Sequence, residues 1–172
     1  AKEGARPNAV AAAGSSEYGN RELTIRCNGL DTPWGADDLR AAATSGASAV
    51  VVPKVGSVAY LDEISAILDG AGAPESLKIW AMIETPTAIF DVRAIAAHPR
   101  VQSLSFGLMD FVSAHGGAIP SDGMAAAGQF THPLVVRAKL EIASAAHAHG
   151  KVPSHCVVTE FNDVDVMRAA AR

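Results

Sequence analysis

Apolar, strand-like runs alternate with helical stretches along this chain, and no hairpin signal joins two of the runs. The runs cover residues 22–27, 47–52, 79–83, 101–106 and 151–158. The run at 47–52 is uninterrupted, which is typical of a parallel strand covered on both faces. The alternation predicts successive βα units, a parallel sheet and therefore an α/β fold. Because no linker or low-complexity segment interrupts the pattern, we expect residues 1–172 to form a single domain.

Polar side chains stand where four of these predicted strands end. In chain order they are Arg26, Lys54, Glu84 and Asp110. Successive members are separated by 28, 30 and 26 residues. One βα unit of a (β/α)8 barrel takes about 30 residues, and catalytic groups of such barrels lie at the C-terminal ends of the strands. The spacing predicts a (β/α)8 TIM barrel, of which this sequence supplies about five βα units, and it places the four side chains on one rim.

Glu84 and Asp110 are the pair that points most directly to chemistry. Residues 79–83 form an apolar strand that runs into Glu84, after which Thr85 is suited to cap a helix that begins at Pro86. Two carboxylates on adjacent strands repel each other unless a cation lies between them. Oxygen ligands suit Mg²⁺ or Mn²⁺, so we expect a metal site here. The alternative is that each acid pairs with a nearby base or caps the following helix.

Three further residues are candidates for substrate contact. Arg26 offers a planar fork for a carboxylate or a developing oxyanion, or it forms a structural ion pair. Asn28 would orient Arg26 or cap the loop that follows. Lys54 would bind an anion, and we consider a Schiff-base role less well supported because the two acids favour a metal.

The later elements are predicted from composition and periodicity. Residues 111–131 are rich in Gly, Ala and Ser, and we expect a long loop over the site. A helix should follow over residues 134–149, with Val136, Leu140 and Ala143 on one side. Thr159 is expected to cap a last helix over residues 160–171. Cys27 and Cys156 are expected to be buried, reduced thiols.

Composition and charge limit the classes of partner that we expect. The chain is 49% hydrophobic with a net charge of −4 and has no basic cluster, which argues against nucleic acid. No apolar run approaches the roughly 20 residues that span a bilayer, and no signal-peptide pattern is present. We therefore expect a cytoplasmic protein that does not bind membranes.

Four short motifs together resemble the citrate lyase β-subunit group of the HpcH/HpaI aldolase superfamily, which has the malyl-CoA lyases as close relatives. In chain order the motifs are Arg26-Cys27-Asn28, Pro53-Lys54-Val55, Ile83-Glu84-Thr85-Pro86 and Gly107-Leu108-Met109-Asp110. The segment 28–34 is similar to the malyl-CoA lyase branch in particular. The resemblance covers about residues 20–165.

The resemblance implies a Mg²⁺-dependent carbon–carbon lyase in a (β/α)8 barrel. Glu84 and Asp110 would hold the metal, and Arg26 would contact the substrate and its oxyanion. Backbone N–H groups near Gly107 and at residues 85–87 would hold a carboxylate. The reaction would cleave or form a 3-hydroxyacyl-CoA of the citryl or malyl type, giving an acyl-CoA and a small oxo-acid. Many members of the group are trimers or hexamers, so we expect a homo-oligomer.

The chain departs from the family pattern in its number of strands. We predict five rather than eight, and the general base and part of the CoA-binding surface are expected to lie outside this sequence. Two other functions stay open: a CoA-independent class II aldolase that acts on 2-oxo-3-deoxy acids through pyruvate, and a non-catalytic barrel that binds CoA or an organic acid.

Overall fold

The computed structural model describes residues 2–171, and it contains one parallel sheet of five strands. The strands are β1 (Thr24–Arg26), β2 (Ala49–Val52), β3 (Lys78–Ile83), β4 (Val101–Phe106) and β5 (Val152–Ser154). They lie in the order in which they occur in the chain, and every neighbouring pair is parallel. A doubly wound sheet would reverse its strand order at a switch point. The unbroken order is that of a barrel segment and confirms the predicted partial barrel.

Helices connect these strands. The α-helices of the described residues are α1 (Lys2–Ala13), α2 (Gly35–Ala43), α3 (Val58–Gly70), α4 (Pro86–Ala97), α5 (Leu108–Ala114), α6 (Ala126–Thr131), α7 (Pro133–Ala148) and α8 (Val164–Ala170). Short 3-10 helices cover Ser16–Tyr18 and Ser121–Met124. No helix among the described residues has both the length and the apolar character that a membrane crossing requires.

The hydrophobic core lies between the sheet and its helices. In β3, Ile79, Ala81 and Ile83 are fully buried, whereas the alternate side chains of Trp80 and Met82 are half-buried. Side chains alternate between the two faces of a strand, so the first series faces the helices. The second series faces the side that would be the interior of a complete barrel, and Glu84 follows Met82 by two residues.

The segment between β4 and α7 differs from the predicted loop. Instead of an irregular stretch over residues 111–131, the chain forms α5, a 3-10 helix and α6. The segment is rich in Gly and Ala, so its sequence does not show the regular spacing of larger apolar residues that indicates a helix. The segment is held by Gln129, which is fully buried and donates from Nε2 to the carbonyls of Met124 and Val157 at 2.9 Å each. Tertiary hydrogen bonds, and not a local signal, therefore order it.

The C-terminal elements were also predicted imprecisely. Thr159 does not cap a helix, because its hydroxyl donates to Glu160, and Glu160 in turn accepts from the Ala126 N–H at 3.0 Å. The last helix starts later, and Asp163 caps it.

The buried side of α7 is also not the predicted one, because Leu140 is 62% exposed. The buried residues of α7 are instead Val135, Ala138, Ile142, Ala145 and Ala146.

Candidate active site

Glu84 is placed by the end of β3 and the start of α4. The Thr85 hydroxyl accepts a hydrogen bond from the Ala88 N–H at 3.2 Å, and Pro86 occupies the first turn, as the sequence predicted. The strand therefore stops and the helix starts within two residues of Glu84. Its side chain is almost fully buried, and neither carboxylate oxygen forms a hydrogen bond of ordinary geometry, although the Lys54 N–H and the Asp110 carboxyl group lie close enough to affect its pKa. A buried carboxylate without a partner is unfavourable unless it is protonated or binds a cation.

The groups around Glu84 shift its pKa in two directions. Burial and the neighbouring carboxyl group of Asp110 raise the pKa of Glu84 to about 7. The backbone N–H of Lys54 and the guanidinium of Arg26 act in the opposite direction. The structure thus brings Arg26, Lys54, Glu84 and Asp110 into one electrostatic neighbourhood, although they come from four different βα units. Strongly perturbed carboxylates of this kind concentrate at functional sites.

Gly107 packs directly against the Glu84 side chain. A Cβ atom at this position would lie 2.3 Å from Glu84 Cγ and 2.9 Å from Cδ, so only glycine leaves room for the acid. The Gly107 N–H donates to the Ile83 carbonyl at 3.0 Å. That N–H bonds within the sheet, and a substrate contact by backbone N–H groups at or near Gly107 stays a prediction. The role of Gly107 is to make space for Glu84.

The spacing had suggested that Asp110 lies at the tip of a strand, but the structure places it elsewhere. β4 ends at Phe106, and Asp110 belongs to the first turn of α5, where the helix dipole favours an acidic side chain. Its side chain is exposed, in contrast to that of Glu84. One buried and one accessible carboxylate therefore form the pair.

Lys54 has an unusual backbone and a clear side-chain partner. Its φ is 53°, and its Nζ donates to Asp31 Oδ2 at 3.1 Å. Asp31 raises the pKa of Lys54, and Asp110 and Glu84 act in the same direction. A Schiff-base lysine needs a lowered pKa, so this environment opposes that role. The predicted anion contact of Lys54 would require the ammonium to leave or share Asp31.

Arg26 and Asn28 differ in their surroundings. Arg26 is the last residue of β1 and is exposed. The backbone N–H of Asn28 donates to Asp38 Oδ2 at 3.1 Å and its Nδ2 binds the same oxygen, while Arg6 Nε reaches Asp38 Oδ1 at 2.8 Å. Burial alone would raise the pKa of Asp38, but these hydrogen bonds and Arg6 outweigh it and lower the pKa. The Asn28 amide nitrogen therefore supports the loop after Arg26, and direct substrate contact by Asn28 stays a prediction.

Comparison with known proteins supports the family resemblance. The family model described as HpcH/HpaI aldolase/citrate lyase matches residues 1–172. The chain belongs to the HpcH/HpaI aldolase/citrate lyase family. The motifs around Arg26, Lys54, Glu84 and Asp110 had indicated this family, and that prediction is confirmed.

The curated relatives of this family member act on malyl-CoA esters. A (3S)-malyl-CoA thioesterase of Cereibacter sphaeroides is 32% identical over 155 residues, which are 90% of this chain and 49% of the relative. An L-malyl-CoA/beta-methylmalyl-CoA lyase of the same species is 31% identical over 188 residues, with 99% of this chain and 59% of the relative covered. The chain thus spans about half the length of the curated relatives that it matches.

Solved structures of citrate lyases share the fold. A citrate lyase from Burkholderia xenovorans aligns with a TM-score of 0.89 at 39% identity and covers 96% of this chain and 55% of its own. The citrate lyase beta subunit of Mycobacterium tuberculosis, complexed with oxaloacetate and magnesium, aligns with a TM-score of 0.69 at 25% identity. That match covers 86% of this chain and 60% of the subunit. The neighbours confirm the barrel-like architecture of the five-stranded sheet.

The residues of this family member fit a hard divalent cation with few protein ligands. The described part of the chain has no cluster of three or more His, Cys, Asp or Glu residues that would enclose a metal. Mg²⁺ commonly uses one or two carboxylates and keeps its other positions for water and substrate. Glu84 offers two buried oxygens without hydrogen bonds beside Asp110, in space that Gly107 leaves open. This donor set suits Mg²⁺ or Mn²⁺ better than a closed structural metal site.

Two acids of the site region were missed in the sequence. They are Asp38 and Asp31, neither of which the sequence marked as a candidate site residue. Their partners are distant in sequence, because Arg6 precedes Asp38 by 32 residues and Lys54 follows Asp31 by 23 residues. No local pattern could have revealed either contact.

Proposed function

We propose that this chain provides the metal-binding and oxyanion-binding part of a Mg²⁺-dependent carbon–carbon lyase. The substrate would be a 3-hydroxyacyl-CoA of the malyl or citryl type, and the products an acyl-CoA and a small oxo-acid. The observation that carries the proposal is the buried Glu84 carboxylate, which has no hydrogen-bond partner and lies beside Asp110. The malyl-CoA and citrate lyase relatives support the choice of substrate class.

Glu84 and Asp110 would hold the ion, with the remaining coordination positions open to water and substrate. When bound, Mg²⁺ supplies Lewis-acid polarisation of the substrate's hydroxyl or carbonyl oxygen. The contrast in burial suits this arrangement: Glu84 is fixed by packing against Gly107, whereas Asp110 is reached from solvent. The raised pKa of Glu84 supports the same role, because a cation would relieve the cost of ionising it.

Arg26 would stabilise the negative charge that forms during cleavage. In the cleavage direction, the 3-hydroxyl loses its proton, the bond between C2 and C3 breaks, and C2 becomes the enolate carbon of the departing acyl-CoA, which then takes up a proton. The enolate charge resides on the thioester oxygen, and a guanidinium fork can donate two hydrogen bonds to an oxyanion. The influence of Arg26 on the pKa of Glu84 supports a location close to the proposed ion. No described residue is assigned as the base.

A second candidate function is hydrolysis of the thioester. A (3S)-malyl-CoA thioesterase and a malyl-CoA lyase are about equally similar to this chain, at 32% and 31% identity. Hydrolysis would release malate and the free thiol of coenzyme A, whereas the lyase reaction leaves the thioester intact. The same carboxylate pair could serve either reaction, so the products distinguish the two.

The experiment supplies the complete protein with malyl-CoA and Mg²⁺ and follows the two products separately. Glyoxylate is detected as its phenylhydrazone, and the free thiol is detected with a disulfide reagent. Glyoxylate without thiol supports the lyase, and thiol without glyoxylate supports the thioesterase. Turnover of free hydroxy-oxo-acids in place of the CoA ester would favour the class II aldolase. Tight ligand binding without any product would indicate a non-catalytic barrel.

The assembly is proposed from the family resemblance. We expect a homotrimer or hexamer located in the cytoplasm, and light scattering on the purified protein measures the oligomer directly. A monomer would contradict the expected assembly without affecting the proposed chemistry at Glu84.

A further inference from the structure

Lys54 is held in a backbone conformation that its side chain does not favour. Within residues 2–171 it is the one non-glycine residue with a positive φ, at 53°. Strain of this kind persists where the surroundings hold a residue in place, and it concentrates at functional sites. The following N–H, of Val55, donates to the Met82 carbonyl at 3.1 Å. The turn is thereby tied to β3 two residues before Glu84.

An ion pair restrains the other end of Lys54. Its ammonium donates to Asp31 at 3.1 Å, and the pair joins the loop after β1 to the loop after β2. The Asp31 loop has its own anchor, because the Leu30 N–H donates to the Tyr60 hydroxyl at 2.9 Å. The side chains of Lys54 and Asp31 are 54% and 55% exposed, so removal of either charge leaves no buried charge behind.

The carboxylates of the proposed metal site are competing partners for this ammonium. Val52 pairs with Ala81 in the sheet, which places Lys54 beside the end of β3, where Glu84 follows. Asp110 and Glu84 both act on Lys54 electrostatically, after the larger effect of Asp31. Lysine carries its charge on a long flexible stem. Without Asp31, the carboxylates of Asp110 and Glu84 are the remaining acidic groups that attract the ammonium.

We propose that Asp31 is a positioning residue that holds the Lys54 ammonium away from the Glu84–Asp110 pair and so leaves these carboxylates available to a divalent cation. The inference rests on the proposed function, since it takes Glu84 and Asp110 to be the ligands of that cation. Asp31 itself need not touch the cation or the substrate, because it acts through Lys54.

The test is a double-mutant cycle read out as Mn²⁺ affinity, measured by calorimetry on the complete protein without substrate. The four proteins are the wild type, D31N, K54M and the double variant D31N/K54M. Thermal unfolding of each checks that it is folded. D31N should weaken Mn²⁺ binding by about three- to fivefold when Lys54 is present, which is the upper part of the range that one exposed ion pair supports. In the K54M background the same change should cost less than about twofold, as expected for coupled neighbours.

The outcomes separate this inference from the proposed function. If D31N weakens binding by the same factor in both backgrounds, Asp31 acts only as a distant negative charge and the inference is overturned, while the metal site stands. Unchanged affinity in D31N also overturns it. If the wild-type protein binds no Mn²⁺, the proposed function fails, and the inference fails with it.

Discussion

A methyl group at Gly107 should displace the Glu84 side chain. The Cβ of a G107A variant would lie 2.3 Å from Glu84 Cγ, whereas ordinary contacts begin at 3.4 Å. One of the two groups must move by about 1.1 Å, the difference between these distances. Gly107 has φ −91° and ψ 78°, which alanine can adopt, so the effect comes from packing and not from backbone strain. Glu84 has little space to withdraw, because it is 1% exposed.

The expected effect has a structural and a functional part. Overpacking of a well-packed interior costs about 1–3 kcal/mol of unfolding free energy, which corresponds to about 2–4 °C in Tm per kcal/mol for a domain of this size. A displacement of about 1 Å in a catalytic group can reduce the rate by about 100-fold. Thermal unfolding, Mn²⁺ calorimetry and turnover of malyl-CoA measure the three consequences on the same protein.

G70A is the matched control for this substitution. Gly70 ends α3, and a Cβ there would meet no atom within 4 Å. Replacing a helical glycine whose conformation suits alanine stabilises the fold by about 0.4–1 kcal/mol, so G70A should keep full activity. If G107A bound Mn²⁺ and turned over substrate like the wild type, Glu84 would not be the group on which the site depends.

Four further predictions concern the residues around Glu84. E84Q and D110N should each lose Mn²⁺ binding in calorimetry, and full affinity in either variant would remove that residue from the metal site. Because the pKa of Glu84 is raised from 4.5 to about 7, the unfolding free energy of the metal-free protein should fall as the pH rises through this range. Urea unfolding of E84Q should show a flatter profile, and an equal slope would refute the assignment. R26K should keep its Mn²⁺ affinity but lose at least about tenfold in turnover, since an ammonium does not replace the fork; unchanged turnover excludes Arg26 from the mechanism. D38A should lower the unfolding free energy by about 1–3 kcal/mol by leaving Arg6 without this acceptor, and a loss below about 0.5 kcal/mol would mean that the contact is not stabilising.

The sequence predicted the elements whose signals are local. β4 was placed at its observed limits, and Thr85 was identified as a helix cap because capping depends on neighbouring residues. The parallel order followed from the alternation of strands and helices. The prediction of a loop over residues 111–131 was wrong for the opposite reason. Gln129 holds this segment through the distant Val157 carbonyl, and local composition does not indicate such a contact.

In the candidate site, too, the sequence predicted what depends on regular spacing and missed what depends on local packing. The spacing of polar residues brought Arg26, Lys54 and Glu84 to one rim, because βα units of equal length repeat the same geometry. It could not show that Asp110 lies on a helix or that Gly107 serves Glu84 by its lack of a side chain. The buried face of α7 was misplaced because apolar residues and alanine occupy most positions around that helix, so the periodicity selects one side only weakly.

Diffraction from Mn²⁺-soaked crystals of the complete protein, recorded at a wavelength where manganese scatters anomalously, tests the metal site most directly. We expect one strong peak between the side chains of Glu84 and Asp110, with carboxylate oxygens of both residues in direct coordination. A peak elsewhere, or two carboxyl groups pointing away from each other with no ion between them, would contradict it.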